Sequence, residues 1–140
     1  MSERLEILLI EDSEGDIELA RVACRRSAVD NQVHVTRTVE HALRFLRQEA
    51  PYADAPRPGL VFLDLNLPGR KGTDVLETMA NDESLADIPI VVLTGSDAPD
   101  DIEASYRLKA SCYLTKPVDL TVLLEVVSSV EGFFEQLQST

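Results

Sequence analysis

Apolar and polar residues alternate along this chain in two patterns, one typical of buried strands and one typical of amphipathic helices. Short, nearly unbroken apolar runs predict strands that are buried on both faces. Segments with an apolar residue every three or four positions predict helices. The predicted strands cover residues 5–10, 33–36, 60–63, 90–93 and 112–114, and the predicted helices cover residues 16–27, 38–49, 72–81, 101–109 and 119–137.

The order of these elements predicts the fold class. Strands that alternate with helices indicate an α/β protein with a parallel sheet, helices on both faces and right-handed crossovers. The length of 140 residues is that of one domain. A proline-rich stretch at residues 50–59 is too short to separate two domains. We therefore predict a single domain over residues 1–140, with a core at about 5–130 and a last helix reaching about residue 137.

Charge and composition exclude several classes of function. Twenty-five acidic and 13 basic residues give a net charge of −12, which argues against nucleic-acid binding because phosphates repel carboxylates. No apolar run approaches the ~20 residues that span a bilayer, and no secretory signal is recognisable. Cys24 and Cys112 lie in apolar stretches and are interpreted as reduced, buried thiols. We expect a soluble, cytoplasmic protein without a membrane or nucleic-acid partner.

Polar residues follow the predicted strands at the edge where their carboxyl ends meet. Glu11 and Asp12 follow the first strand, Asp64 the third, Thr94 the fourth and Lys116 the fifth. Ligands of open α/β sheets bind at this edge. Three converging carboxylates repel one another unless a cation neutralises them, and Mg²⁺ prefers such oxygen ligands. Each acidic residue could instead cap a helix, but all five residues in this order favour a functional site.

The same edge predicts phosphoryl chemistry. A metal ion, the Lys116 ammonium and the Thr94 hydroxyl could each hold one oxygen of a phosphoryl group attached to Asp64. Phosphoryl transfer requires little beyond such positioning and charge neutralisation. We therefore interpret Asp64 as the centre of the site.

Together these motifs resemble the receiver domain of two-component response regulators, the CheY-like family. The resemblance is carried by Glu11 with Asp12 and by residues 63–69, 94–96 and 113–117, and it extends over about residues 5–130. It implies a flavodoxin-like (βα)5 fold with strand order 2-1-3-4-5. It also implies a protein that is phosphorylated by a partner histidine kinase and that is not a turnover enzyme.

The resemblance implies a role for each metal-site residue. Asp64 would be the phosphoacceptor, a carboxylate nucleophile that forms an acyl phosphate. Asp12 and Asp64 would bind Mg²⁺, or Mn²⁺ in its place, and Glu11 would act at the metal through water. The backbone carbonyl of Asn66 would be a further ligand.

Other residues have implied roles in transfer and signalling. Thr94 and Lys116 would bind the phosphoryl oxygens, and the bond from Lys116 to Pro117 would be cis. The side chains of Asn66 and Ser96 would modulate hydrolysis of the acyl phosphate, a reaction that the domain catalyses on itself.

A switch is implied as well. Thr94 would move toward the phosphoryl group and Tyr113 would swing inward, altering the face formed by the fourth helix, fifth strand and fifth helix. Tyr113 could instead be an ordinary half-buried strand residue. One departure from the family pattern is Lys109 followed by Ala110, where many receivers have Gly-Ala.

A finer resemblance concerns partners. The loop at residues 50–59 and the lack of an output domain resemble small stand-alone receivers paired with phytochrome-type or other sensory histidine kinases. The output would be a protein contact, or phosphate relay to a histidine phosphotransfer protein. Phe133 and Phe134 extend the apolar stripe of the last helix and predict a homodimer, although they could pack back onto the domain.

Rival classes fit less well. A phosphohydrolase of the haloacid-dehalogenase type needs a second Asp two residues after the nucleophile, where Asn66 stands. The acidic residues at 11–16 would repel the phosphate of a flavin. Residues 69–73 superficially resemble a P-loop, but their order is wrong and they do not directly follow a strand. A pseudo-receiver that binds partners without being phosphorylated remains an alternative.

Overall fold

The structure, a computed structural model, describes residues 4–28 and 30–139, with side chains described up to residue 129. Five parallel strands form one sheet in the order β2-β1-β3-β4-β5, as predicted. The strands are β1 (Leu5–Ile10), β2 (Asn31–Thr36), β3 (Leu60–Leu63), β4 (Ile90–Thr94) and β5 (Cys112–Thr115). The helices are α1 (Glu14–Arg25), α2 (Val39–Arg47), α3 (Thr73–Ala80), α4 (Pro99–Arg107) and α5 (Leu120–Ser139).

The sheet separates two apolar cores. Leu5, Ile7 and Leu9 of β1 pack on one face with side chains from α1 and α5, whereas Leu8 and Ile10 pack on the other face with α2 and α3. Successive strand residues point to opposite faces, so a strand covered on both sides must be apolar throughout. This burial explains the unbroken apolar runs of the sequence.

Helix starts differ from the prediction by two residues at two places. Helix α1 begins at Glu14, because the Ser13 hydroxyl caps it by accepting the Asp16 N–H at 3.5 Å. Helix α4 begins at Pro99, a residue that suits the first turn since it lacks an N–H. The first turns of these helices hold polar residues, so the apolar periodicity places both helix starts two residues too far along the chain.

The turn before β5 contains the residue that departs from the family pattern. Lys109 has a φ of 70°, in the left-handed region that glycine adopts without steric cost. Its side chain is exposed, and its N–H donates to the Tyr106 carbonyl at 2.9 Å. The turn therefore keeps a glycine-type backbone although a lysine occupies it.

Three other expectations concern burial and the last helix. Cys24 is buried as expected, whereas Cys112 is only half-buried. Phe133 and Phe134 belong to α5, but their side chains lie outside the described residues, so the homodimer surface stays a prediction. Among the described residues, no helix is both long and apolar enough to cross a bilayer.

Candidate functional site

The register of the central strands brings Glu11 and Asp64 side by side. Ile10 of β1 pairs with Leu63 of β3, and the Asp64 N–H continues the ladder by donating to the Ile10 carbonyl at 3.0 Å. Glu11 is held in the same way by the carbonyl of Thr36 at 3.0 Å. Both carboxylates thus sit at the carboxyl edge of the sheet, and both are buried.

Three carboxylates form a group that could hold a metal ion. Glu11, Asp12 and Asp64 each offer an oxygen, and these oxygens lie within 4.8 Å of one another. Asp12 is exposed, so the group is open to solvent on one side. Hard oxygen donors suit Mg²⁺ or Mn²⁺ better than softer ions. The residues present therefore fit a divalent cation of this kind.

Lys116 contacts two of these three carboxylates, Glu11 and Asp64. Its backbone N–H donates to the Thr94 carbonyl at 2.7 Å, and the Lys116–Pro117 peptide bond is cis. The ammonium nitrogen Nζ lies 2.7 Å from Oε2 of Glu11 and 3.0 Å from Oδ2 of Asp64. A single ammonium thus bridges two buried carboxylates that would otherwise repel each other.

A third carboxylate on Lys116 was missed by the sequence analysis. Asp16, in the first turn of α1, places Oδ2 at 2.8 Å from Nζ of Lys116. The only signal in the sequence was its position four residues after Asp12, and helix-capping acids commonly occupy such positions. Only the packing of α1 against the β5–α5 segment shows that Asp16 contacts the site.

Burial and hydrogen bonds act in opposite directions on these groups. Burial raises the pKa of Glu11 above its usual value, more than hydrogen bonds from Lys116 and Ser13 lower it. Burial also tends to raise the pKa of Asp64, but hydrogen bonds from the Asn66 N–H, Lys116 and Thr94 outweigh it, so this pKa is lowered. Asp64 is therefore a carboxylate at neutral pH.

Burial alone would lower the pKa of Lys116. Its hydrogen bonds to Asp16, Glu11 and Asp64 outweigh that effect and raise the pKa above that of an ordinary lysine. The ammonium is therefore protonated throughout the physiological range, and the site always contains one fixed positive charge.

Thr94 connects Asp64 to the loop that follows β4. Thr94 is fully buried, and its hydroxyl oxygen accepts the Asn66 side-chain N–H at 3.3 Å and the Ser96 N–H at 3.4 Å. The Tyr113 hydroxyl donates to the Ser96 carbonyl at 2.8 Å. The structure thus brings Asn66, Thr94, Ser96 and Tyr113 into one hydrogen-bonded chain that starts at Asp64.

Tyr113 stands at the outer end of this chain. Its ring is half-buried and packs against the core under α2 and α3. Burial raises the pKa of its hydroxyl, and nearby Asp101 and Asp97 raise it further. The neutral hydroxyl is therefore available as a donor to Ser96.

Gly72 is a second residue that the sequence analysis missed. A Cβ built at this position would lie 2.6 Å from the Asp64 carbonyl oxygen and 2.6 Å from Cα of Leu65. The Gly72 N–H donates to the Leu65 carbonyl at 3.1 Å. The absence of a side chain at Gly72 thus lets the backbone after Asp64 pass directly against the start of α3.

Comparison with known proteins identifies relatives that match almost the whole chain. The family described as response regulator receiver domain matches residues 7–128. Response regulator Rcp1 from Synechocystis sp. is 41% identical over 128 residues, covering 91% of this chain and 87% of that protein. The probable methanogenesis regulatory protein FilR2 from Methanothrix harundinacea is 33% identical, covering 91% and 82%.

Solved structures of similar proteins show the same fold. The Mn²⁺-bound form of response regulator Rcp1 superposes with a TM-score of 0.82 at 41% identity, covering 93% of this chain and 94% of that one. The phosphorylated cyanobacterial phytochrome response regulator RcpA gives a TM-score of 0.83 at 42% identity, covering 94% of each. With the sheet order and a family match over residues 7–128, these likenesses establish that this chain belongs to the response regulator receiver domain family.

Proposed function

We propose that this protein accepts a phosphoryl group on Asp64 from a partner histidine kinase, in a reaction that depends on Mg²⁺. The observation that carries the proposal is the Lys116 ammonium 3.0 Å from the Asp64 carboxylate, beside the acidic group of Glu11, Asp12 and Asp64. Receiver domains are not turnover enzymes. The proposed chemistry is therefore one transfer onto Asp64, followed by hydrolysis that the domain itself catalyses.

Asp64 is the nucleophile in this proposal. Its lowered pKa keeps an oxygen lone pair free at neutral pH. That lone pair forms a P–O bond while the P–N bond of the phosphohistidine breaks, and the imidazole nitrogen keeps the electron pair. Water later attacks the acyl phosphate, which releases inorganic phosphate and restores the carboxylate.

Lys116 and Thr94 stabilise the transferred group. The Lys116 ammonium donates to one phosphoryl oxygen and compensates its negative charge, and the Thr94 hydroxyl donates to another. The Lys116 ammonium already donates to Asp64, and the Thr94 hydroxyl is joined to Asp64 through hydrogen bonds of Asn66. Asn66 and Ser96 both hydrogen-bond to the Thr94 hydroxyl oxygen. From this position they modulate the rate at which the acyl phosphate is hydrolysed.

The residues that would hold Mg²⁺ are Asp12, Asp64 and the backbone carbonyl of Asn66, with Glu11 acting through water. When bound, the ion neutralises negative charge on the carboxylates and on the phosphoryl oxygens. The Mn²⁺-bound form of Rcp1 supports a divalent ion in a protein of this sequence type.

Phosphorylation of Asp64 would change the conformation of the protein through Thr94 and Tyr113. A phosphoryl group adds roughly −1.5 to −2 charges beside the Thr94 hydroxyl. If Thr94 turns toward it, the chain from Thr94 through Ser96 to the Tyr113 hydroxyl is disturbed. Tyr113 then moves inward and changes the surface of α4, β5 and α5, which is the surface that a partner would bind.

The kinase partner is proposed from the relatives. RcpA is described as a phytochrome response regulator, and a bacteriophytochrome response regulator, RtBRR, is 34% identical to this chain with a TM-score of 0.80. We therefore infer a phytochrome-type sensor histidine kinase as the phosphodonor. A histidine phosphotransfer protein would be the recipient if the phosphate is relayed onward.

Self-association is a further part of the proposal. The apolar stripe of α5 lies in the core at Leu123 and Val127, and in the sequence it continues to Phe133 and Phe134, where an apolar helix end would pair with a second copy. We expect wild type to sediment as a homodimer and the Phe133→Ser/Phe134→Ser variant as a monomer. Monomers in both samples would contradict the dimer.

The phosphorylation proposal is tested with acetyl phosphate and intact-mass measurement. With Mg²⁺, wild type should gain the mass of one phosphoryl group, and Asp64→Asn should gain none. Asp87→Asn is the matched control, because Asp87 is exposed and pairs with Arg57, away from the site. An unmodified wild type would indicate a pseudo-receiver, and repeated turnover of a stable phosphomonoester would indicate a phosphohydrolase.

A further inference from the structure

The Lys116 ammonium lies within salt-bridge distance of three carboxylates. A lysine ammonium has three N–H donors. Nζ of Lys116 lies at 2.7 Å from Glu11, 2.8 Å from Asp16 and 3.0 Å from Asp64. The ammonium is thus shared among three acids, of which one lies in α1 and the other two directly follow β1 and β3.

Two of these acids are also candidate metal ligands. Glu11 and Asp64 belong to the group whose oxygens lie within 4.8 Å of one another, together with Asp12. An ammonium and a divalent cation therefore compete for the same two carboxylates. Any residue that draws Lys116 away from them reduces that competition.

Asp16 is placed to draw Lys116 away. It is not a member of the group of candidate metal ligands, and its side chain is 38% exposed, against 3% for Glu11 and 6% for Asp64. A small cavity beside Lys116 is lined by Glu11 and Asp16 together with apolar residues such as Leu19 and Leu123. Asp16 therefore approaches the ammonium from α1, at the more exposed end of the three carboxylates.

The backbone of α1 holds the Asp16 carboxylate in place. The Asp16 N–H donates to the capping hydroxyl of Ser13, and the next residue, Ile17, is buried in the core. A carboxylate in the first turn of a helix is stabilised by the helix dipole. The backbone at Asp16 is thus anchored at the start of α1, with its carboxylate 2.8 Å from the Lys116 ammonium.

We propose that Asp16 is a positioning residue that holds the Lys116 ammonium toward α1 and so leaves Asp64, and Glu11 through water, freer to hold Mg²⁺. This inference rests on the proposed function, because it assigns Mg²⁺ to that same group of carboxylates. Asp16 itself lies outside the group of candidate metal ligands. Its effect passes through Lys116.

Calorimetric titration with Mg²⁺, without any phosphodonor, tests the proposal. In Asp16→Asn, Lys116 is shared between Glu11 and Asp64 alone, so the Kd for Mg²⁺ should rise about three- to fivefold. Asp16→Glu keeps the charge and should restore most of the affinity. Glu14→Gln removes the same charge from the same helical turn, where Glu14 pairs with Arg37 at 2.7 Å, and should change Kd by less than about twofold.

A double-mutant cycle separates positioning from simple charge. In a Lys116→Met background, the effect of Asp16→Asn on Kd should shrink to that of Glu14→Gln. A full effect in that background would overturn the proposal, as would equal effects of Asp16→Asn and Glu14→Gln in the wild-type background.

A second measurement follows Lys116 directly and does not depend on the Lys116→Met variant folding. In NMR spectra of metal-free protein, the Lys116 ammonium protons should exchange with water at least about threefold faster in Asp16→Asn than in wild type, because one of the three carboxylates around the ammonium loses its charge. Unchanged exchange would contradict the positioning role. Absence of phosphorylation at Asp64 in wild type would overturn the proposed function while leaving these Mg²⁺ and NMR results intact, so the two failures are distinguishable.

Discussion

Gly72 lies so close to Asp64 that a methyl group at its Cα would meet the Asp64 carbonyl oxygen at 2.6 Å. Backbone atoms on both sides of this contact are held by hydrogen bonds, from Gly72 to Leu65 and from Asp64 to Ile10. Neither segment can yield without moving the residue proposed to be phosphorylated. The contact therefore links the start of α3 to the geometry of the site.

We expect Gly72→Ala to lower the free energy of unfolding by about 1–3 kcal/mol, the usual cost of inserting a methyl group into a packed region. It should also slow phosphorylation of Asp64, because the backbone that carries Asp64 must shift. Urea unfolding and the acetyl phosphate reaction measure the two effects.

Gly15→Ala is the matched control, since a Cβ at Gly15 meets no atom within 4 Å and Gly15 lies in α1. This change should raise the free energy of unfolding by about 0.5–1 kcal/mol, the difference between alanine and glycine in a helix. Equal behaviour of the two variants would contradict the importance of the Gly72 contact.

Lys109 offers a stabilising change in the turn before β5. Its φ of 70° strains any residue with a Cβ, and glycine removes that strain. We expect Lys109→Gly to raise the free energy of unfolding by about 0.5–1 kcal/mol, after the entropy that glycine adds to the unfolded chain is subtracted. Lys71→Gly, at a lysine without a positive φ, should not stabilise the protein. A destabilised Lys109→Gly would count against the strained turn.

The lowered pKa of Asp64 makes the stability of the folded protein depend on pH. Its pKa in the folded protein lies below the ordinary value of 3.8, so the unfolded chain binds this proton at higher pH than the folded one. Ionised Asp64 therefore contributes stability that is present above about pH 4 and is lost as the pH falls through the folded pKa. Urea unfolding of wild type and Asp64→Asn measures this contribution as the difference between their free energies of unfolding. The difference should decrease from pH 6 to pH 2, with a slope that corresponds to about one proton at most. A difference that grows toward low pH would contradict a lowered pKa.

We expect the Tyr113 hydroxyl to stabilise the unphosphorylated form of the protein. Tyr113→Phe removes the hydrogen bond to the Ser96 carbonyl and should lower the free energy of unfolding by about 0.5–1.5 kcal/mol. Tyr106→Phe is the comparison, because Tyr106 is the exposed aromatic of α4 and should change stability little. If both variants unfold at the same urea concentration, the hydrogen bond does not stabilise the unphosphorylated form.

Much of this protein could be predicted from local patterns. Unbroken apolar runs such as Leu60–Leu63 predicted a doubly covered parallel sheet, because only strands buried on both faces tolerate them. The positions of Glu11, Asp64 and Lys116 after strands predicted a shared edge, because parallel strands all end on the same side of the sheet. Both conclusions depend on the order of elements alone.

Contacts between distant segments could not be predicted in this way. Whether Asp16 caps its helix or binds Lys116, 100 positions later, depends on how α1 packs beside the end of β5. Gly72 carries no pattern that distinguishes it from a turn glycine, and its closeness to Asp64 follows from the path of the loop between them.

By itself, the amino-acid sequence determined the parallel α/β sheet, the family and the edge where acidic residues gather. These follow from side-chain periodicity and residue order, which are local properties. Only the tertiary structure decided that one ammonium is divided among Glu11, Asp16 and Asp64, and that Tyr113 hydrogen-bonds to Ser96. Such distances of about 3 Å depend on the register and packing of segments far apart in the chain, which the residue pattern does not specify.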